Sequence, residues 1–229
     1  MRMSRARRLL IGATALAVAA SVLVPSSAQA ATASVQTLYF SVTVEGGKTC
    51  TIIGDLYRPA GATAGQPVPA ILGTNGWGLD KSSLASAGSY FAANGYAMLA
   101  YSGLGWGGSN CPISIDQPAI DGVAASQLVG FLGGAAGVAY TDAAMTQAAP
   151  LVDFVARDAV AHDGTSRAND PRVGMFGLSY GGAVQFAAAS VDPRIDTLVP
   201  MITFNDLRYS VFPTTLPRAA RWHPPPRGR

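Results

Sequence analysis

The run Arg172-Val173-Gly174-Met175-Phe176-Gly177-Leu178-Ser179-Tyr180-Gly181-Gly182, leading into Ala183-Val184-Gln185-Phe186-Ala187-Ala188-Ala189, constrains the fold more than any other stretch. Its first half predicts a short buried strand and its second half a helix, with almost nothing between them to act as a loop. The chain must therefore reverse in one tight turn with Ser179 at the apex. Gly177-Leu178-Ser179-Tyr180-Gly181 fits G-x-S-x-G, where backbone strain at the serine holds its Oγ above the sheet. Gly177 and Gly181 are needed because a Cβ at either place would strike the neighbouring strand or helix, and Gly182 extends the same small-residue stretch. The pentapeptide alone is common; the apolar run before it and the helical run after it give it weight.

The 229 residues suffice for one α/β domain with a sizeable core, and an apolar content of 49% with a single glutamate, Glu45, fits a packed domain. The net charge of +3 comes from the ends. Arg2, Arg5, Arg7 and Arg8 open the chain, and Arg218, Arg221, Arg227 and Arg229 lie in the last twelve residues. Without those eight, eight basic residues face thirteen acidic ones, so the body carries no footprint for nucleic acid. The basic start, the apolar run Leu9 to Val24 and the sequence Ser27-Ala28-Gln29-Ala30 predict a signal peptide over 1–30, cut after Ala30. The expected location is secreted or cell-envelope, with no stable membrane anchor after cleavage. Cys50 and Cys111 are the two cysteines; in an oxidising compartment one disulfide is expected, and two buried thiols are the other reading. Neither has the His or Cys neighbours of a metal site.

In order, Val35–Val44, the turn Gly46-Gly47 and Cys50–Tyr57 predict an antiparallel hairpin. Ala70–Gly73 reads as a buried parallel strand, Leu84–Ala93 as a helix closed by Asn94-Gly95, and Tyr96–Tyr101 as a further buried strand. Gly103-Leu104-Gly105-Trp106-Gly107-Gly108 matches G-x-G-x-x-G by spacing. Ser109-Asn110-Cys111-Pro112 stands where a phosphate-binding helix should begin, so a dinucleotide site is rejected and no cofactor is expected. Residues 116–149 give no clear pattern, with Gly133-Gly134 and Gly137 breaking any helix. Apolar positions 151, 152, 155, 159 and 160 predict a helix over Leu151–Val160. Beyond the serine turn and its helix, Ile195–Ile202 reads as another buried strand. The alternation predicts an α/β fold with a mostly parallel sheet behind an N-terminal antiparallel hairpin.

Gly177-Leu178-Ser179-Tyr180-Gly181-Gly182, flanked by Asp170-Pro171-Arg172-Val173-Gly174 and Ser190-Val191-Asp192-Pro193-Arg194, resembles the nucleophile elbow of Xaa-Pro dipeptidyl-peptidases and cocaine-esterase-like acyl hydrolases. Gly95–Tyr101, running into Gly105-Trp106-Gly107-Gly108-Ser109, is similar to a general pattern of the α/β-hydrolases, with Ser102 and Leu104 in place of its usual Asp and Arg. The likeness spans about Val35 to Pro213. It implies an α/β-hydrolase domain over 31–213, a helical cap and a C-terminal β-rich domain. It also implies a small ester or peptide substrate and exported acyl hydrolysis.

Serine-based acyl transfer needs a nucleophile, a histidine, a carboxylate to orient it and donors for the oxyanion. Ser179 is the candidate nucleophile, and the backbone N–H of Tyr180 the candidate oxyanion donor. The resemblance implies a second donor after the Ala70–Gly73 strand, where Trp77 is either that donor, through its indole N–H, or an aromatic lid. The acid and the base are not identifiable. His162 precedes the serine in a polar loop and is expected on the surface. His223 lies beside Pro224-Pro225-Pro226, which favours neither helix nor strand. Asp192 and Asp196 are expected to be solvated beside a turn, and Asp206 falls near the end of the likeness. The Arg/Pro-rich tail 214–229 and the loss of hydrophobic pattern after Pro213 lead to the expectation of a hydrolase domain incomplete at its C-terminus, ended by a frameshift or early stop. A catalytically inactive hydrolase-fold binding protein and a non-functional fragment are the alternatives.

Overall fold

The computed structural model describes residues 33–211; the expected signal peptide, the tail 214–229 and His223 lie outside the described residues. Among the described residues the strands form one seven-stranded sheet. Strands β1 (Ser34–Val44) and β2 (Lys48–Arg58) form the antiparallel hairpin around Glu45–Gly47, with Val42 opposite Cys50. Next come β3 (Ala70–Thr74), α1 (Ala85–Ala93) and β4 (Ala97–Tyr101). A single π-turn, Pro118–Gly122, opens α2 (Val123–Leu132), and the two-residue β5 (Ala139–Tyr140) follows. The chain closes with β6 (Val173–Leu178), α3 (Tyr180–Ala189), β7 (Ile195–Met201) and the short α4 (Leu207–Val211). Strand order is β5-β1-β2-β4-β3-β6-β7. Strands β3, β4, β6 and β7 run parallel, and the hairpin joins antiparallel through β2 and β4.

All five residues of β4 are buried, because both faces of the central sheet are covered. Ala97, Leu99 and Tyr101 belong to the core under α2 and α3, which includes Phe40, Leu72, Leu128, Leu132 and Val184. Met98 and Ala100 turn the other way, onto Leu84 and Ala92 beside α1. The two-residue period of the strand divides its apolar side chains between the layers.

Three expectations need correction. The helix that separates β4 from β6 is α2, inside the stretch that gave no clear pattern; Gly133-Gly134 end it rather than break it. Leu151–Val160 is not helical. It runs extended beside the chain leading into β3, with Val68 N–H donating to Phe154 O (2.9 Å) and Ala156 N–H to Val68 O (2.8 Å). Val152, Phe154 and Val155 are buried while Leu151, Asp153 and Val160 are exposed, so burial does not follow the helical face that the apolar spacing predicts. Finally, β7 is no buried strand. Only Ile195 is buried, and Val199 is 46% exposed, because β7 is the edge of the sheet among the described residues.

Asp192 is also corrected. It is buried, since Arg194 folds back over it (2.7 Å) and donates onward to the carbonyls of Ser126 (2.9 Å) and Asn169 (3.1 Å). Asp196 is exposed as expected, and one of its carboxylate oxygens also accepts the Val173 N–H at 2.8 Å, tying β7 to the start of β6.

Cys50 and Cys111 are bonded, with their Cα atoms 5.7 Å apart. The bond fastens the loop after β4 to β2, where Asn110 N–H already donates to Thr51 O (2.9 Å) and Ile53 N–H to Ser109 Oγ (3.0 Å). Closing a loop of this length restricts the unfolded chain, so reduction should cost about 4 kcal/mol. Urea unfolding with and without reductant checks this, and Cys50→Ala/Cys111→Ala should match the reduced protein.

Candidate active site

The parallel strands deliver their C-terminal ends to one edge, and the loops there build the site. Ser179 sits between β6 and α3 with φ +53° and ψ −115°, a backbone state costly for any residue with a Cβ. Contacts on several sides hold it there. Its N–H donates to Met201 O (2.9 Å). Its carbonyl accepts from Gly182 N–H (3.0 Å), Ala183 N–H (3.1 Å) and Thr203 Oγ1 (2.9 Å). A Cβ on Gly177 would lie 2.5 Å from the Gly181 carbonyl, and one on Gly181 would overlap the carbonyl of Thr74 at the end of β3. Gly182 faces Thr203 in the same way. Three backbones thus meet where side chains would keep them apart.

Ser179 opens onto a cavity of about 500 Å³ whose walls include Trp77, Ile115, Tyr180, Ile202, Phe204 and Leu207. Trp77 is 58% exposed and stands edge-on to Trp106 (5.0 Å between ring centres) and to Tyr180 (6.0 Å), so its ring forms part of the wall over the serine. Tyr180 is itself 2% exposed, and burial, followed by the charges of Asp121 and Asp116, keeps its phenol protonated far above the usual range.

Sequence reasoning missed three polar groups of this edge. Asn75 is fully buried; its Oδ1 accepts from Gly103 N–H and its Nδ2 donates to Gly76 O, both at 2.8 Å, which locks the turn after β3 to the loop after β4. Asp121, in the π-turn, accepts from Ser114 Oγ and from Gln117 N–H (3.1 Å). Asp116 lines a second cleft of about 610 Å³ that shares Thr203, Phe204 and Leu207 with the serine's cavity. Both Asp116 oxygens are shielded from solvent without a hydrogen-bond partner, and burial with the neighbouring Asp121 pushes its carboxyl up to about 7. Ile115 and Asp116 both adopt positive φ (+53° and +60°). All three lie in segments whose sequence carries no periodicity, and an isolated Asn or Asp signals a turn before it signals a site.

His162 is exposed, and its N–H donates to Pro193 O at the opposite edge, where β7 begins. A strand the length of β6 separates the two edges by about 20 Å, so His162 is nowhere near Ser179. Asp206 pairs with Arg208 (3.1 Å) on the surface. Among the described residues no group of three or more His, Cys, Asp or Glu could hold a metal ion.

The family model for X-Pro dipeptidyl-peptidases (S15 family) matches residues 45–224. Among solved structures, a hypothetical protein from Pseudomonas aeruginosa superposes with a TM-score of 0.51 at 20% identity, over 77% of this chain and 45% of that one. Acetyl xylan esterase 1 from Thermoanaerobacterium sp. gives 0.47 at 18% identity, over 78% and 51%. A CocE/NonD family hydrolase from Staphylococcus aureus gives 0.45 at 13%, over 75% and 28%. The chain spans about half the length, or less, of these three structures. No curated protein matches it. The fold is that of the α/β-hydrolases.

Because Asp116 takes up its proton more readily in the folded chain than the ordinary carboxyl does, its stabilising effect is present in acid and lost as pH rises towards about 7. Asp116→Asn should therefore melt with the wild type near pH 4 and increasingly above it up to about pH 7. Thermal unfolding midpoints across that range test the sign.

Proposed function

This chain belongs to the X-Pro dipeptidyl-peptidase (S15) family of hydrolases, and from that premise we propose that it opens acyl bonds, peptide or ester, with Ser179 as nucleophile. The observation that carries this reading is the strained turn that holds Ser179 at the mouth of the apolar cavity. Strain of this kind persists only where the surroundings over-determine it, and it clusters where reacting groups must be presented.

In the proposed reaction Ser179 Oγ attacks the carbonyl carbon of a substrate seated against Trp77 and Phe204. The Oγ proton passes to a base, and negative charge gathers on the carbonyl oxygen. The N–H of Tyr180, first in α3 and free of an intrahelical partner by its position, points towards that oxygen. The turn after β3 supplies the second donor, through the loop that Asn75 locks or through the Trp77 indole. Collapse of the tetrahedral species expels the amine or alcohol, which takes the proton back from the base. Water, giving a proton to the same base, then attacks the acyl group, and the proton returns to Ser179 Oγ as the acid leaves. We place the base and its orienting acid outside residues 33–211, since His162 stands at the wrong edge. Export through the first thirty residues is part of the proposal, and the Cys50–Cys111 bond supports it, because such bonds persist in oxidising compartments.

A second reading, a hydrolase-fold binding protein that never acylates, is favoured by one observation: the described histidine lies far from Ser179. A fluorophosphonate probe separates the two. The full chain should gain one covalent adduct on the peptide containing Ser179, and Ser179→Ala none. A wild-type chain that stays unmodified while binding hydrophobic esters would overturn the nucleophile and leave the binding protein.

A further inference from the structure

The strained turn is gripped from two sides, and only one of them belongs to the elbow's own sheet. From the β7 side, Met201 O and Thr203 Oγ1 hold Ser179. From the other side comes the π-turn Pro118–Gly122. It presses so closely on α3 that a Cβ on Gly122 would lie 2.5 Å from the Ala187 carbonyl. One residue earlier, the Oδ1 of Asp121 stands 3.5 Å from the Tyr180 phenol oxygen. The other carboxylate oxygen accepts from Ser114 Oγ and Gln117 N–H, so Asp121 is held in orientation before it meets the phenol. Both residues are almost wholly buried, at 5% and 2% exposure. A single extra residue per turn is what a π-turn contributes. Here it brings Asp121 to bear on the first turn of α3 and Gly122 on its last, a use frequent at functional sites.

Packing alone does not call for a carboxylate at this place. Its burial is costly, and an apolar side chain would fill the same volume without that cost. What the carboxylate adds is direction: it fixes the phenol of the residue whose backbone N–H follows the nucleophile. We propose that Asp121 is a positioning residue, which by accepting the Tyr180 phenol hydrogen bond fixes the Ser179–Tyr180 peptide unit so that its N–H faces the acyl oxygen. This rests on the reading of Ser179 and the Tyr180 N–H given above. Tyr180 thus has two functions in two directions, its amide towards the substrate and its phenol towards the anchor.

The test uses the full chain with Asp121→Ala, Asp121→Asn, Tyr180→Phe and the double variant Asp121→Ala/Tyr180→Phe. Two quantities are measured, the rate of fluorophosphonate adduct formation at Ser179 and the thermal unfolding midpoint. A misplaced donor costs about ten- to a hundredfold in rate, which is the loss expected for Asp121→Ala and for Tyr180→Phe, with the double variant no slower than the worse single one. Asp121→Asn keeps one acceptor oxygen where the carboxylate serves Tyr180 on one side and Ser114 and Gln117 on the other, so it should label more slowly than wild type and faster than Asp121→Ala. Tyr180→Phe keeps the ring and its packing, so a Tyr180→Phe chain that labels at the wild-type rate overturns the proposal even if Asp121→Ala fails to fold. If wild-type Ser179 does not label, the nucleophile reading fails by itself. The coupling of the Asp121 and Tyr180 midpoints then decides the contact, and additive midpoints overturn it.

Discussion

Everything at this edge depends on the close approach of three backbones: the end of β3, the end of β6 and the first turn of α3. Gly177 against the Gly181 carbonyl and Gly181 against the Thr74 carbonyl leave no room for side chains. That contact allows strand and helix to be joined by Ser179 alone, which in turn forces it to positive φ. The cost of that conformation is offset by four hydrogen bonds to the Ser179 peptide groups. Remove the approach and the serine becomes an ordinary turn residue; keep it and the side chain stays at the mouth of the cavity whether or not substrate is present.

The second constraint comes from the long irregular chain between β4 and β6. Loops usually run over the surface because their backbone groups need partners. This one is fastened at intervals: Asn110 pairs with Thr51, Cys111 bonds Cys50, Asp121 accepts from Ser114 and Gln117, and the 151–156 stretch pairs with Val68. The fastenings hold Ile115 and Asp116 in left-handed conformations beside the serine's cavity. Polar side chains are packed into this edge: Asn75 and Asp121 are buried, and both oxygens of Asp116 are shielded without a partner. The unpartnered Asp116 carboxyl beside the serine's cavity is the electrostatic counterpart of the backbone strain at Ser179.

The hairpin, β3, α1, β4, the serine turn and α3 are legible in the sequence because each has a clear local period or a demanding turn. Leu151–Val160 is not, since its apolar spacing satisfies a helical face and an extended strap equally; pairing with Val68 decided between them. Ile195–Ile202 looks buried by composition alone, and its place at the sheet edge set its exposure. Asp192 resembles a solvated turn residue until Arg194, two positions on, is seen to fold over it.

By itself the sequence determined the strand–serine–helix turn, because G-x-S-x-G between an apolar and a helix-forming run has few other ways to fold. It likewise determined the order of most elements. Only the tertiary structure decided what surrounds Ser179. Asp121 reaches Tyr180 across 59 residues, and Asn75 reaches Gly103 across 28, through contacts that no local period encodes. A turn is specified by its neighbours along the chain, but a site is specified by neighbours in space, and those depend on how the strands were ordered.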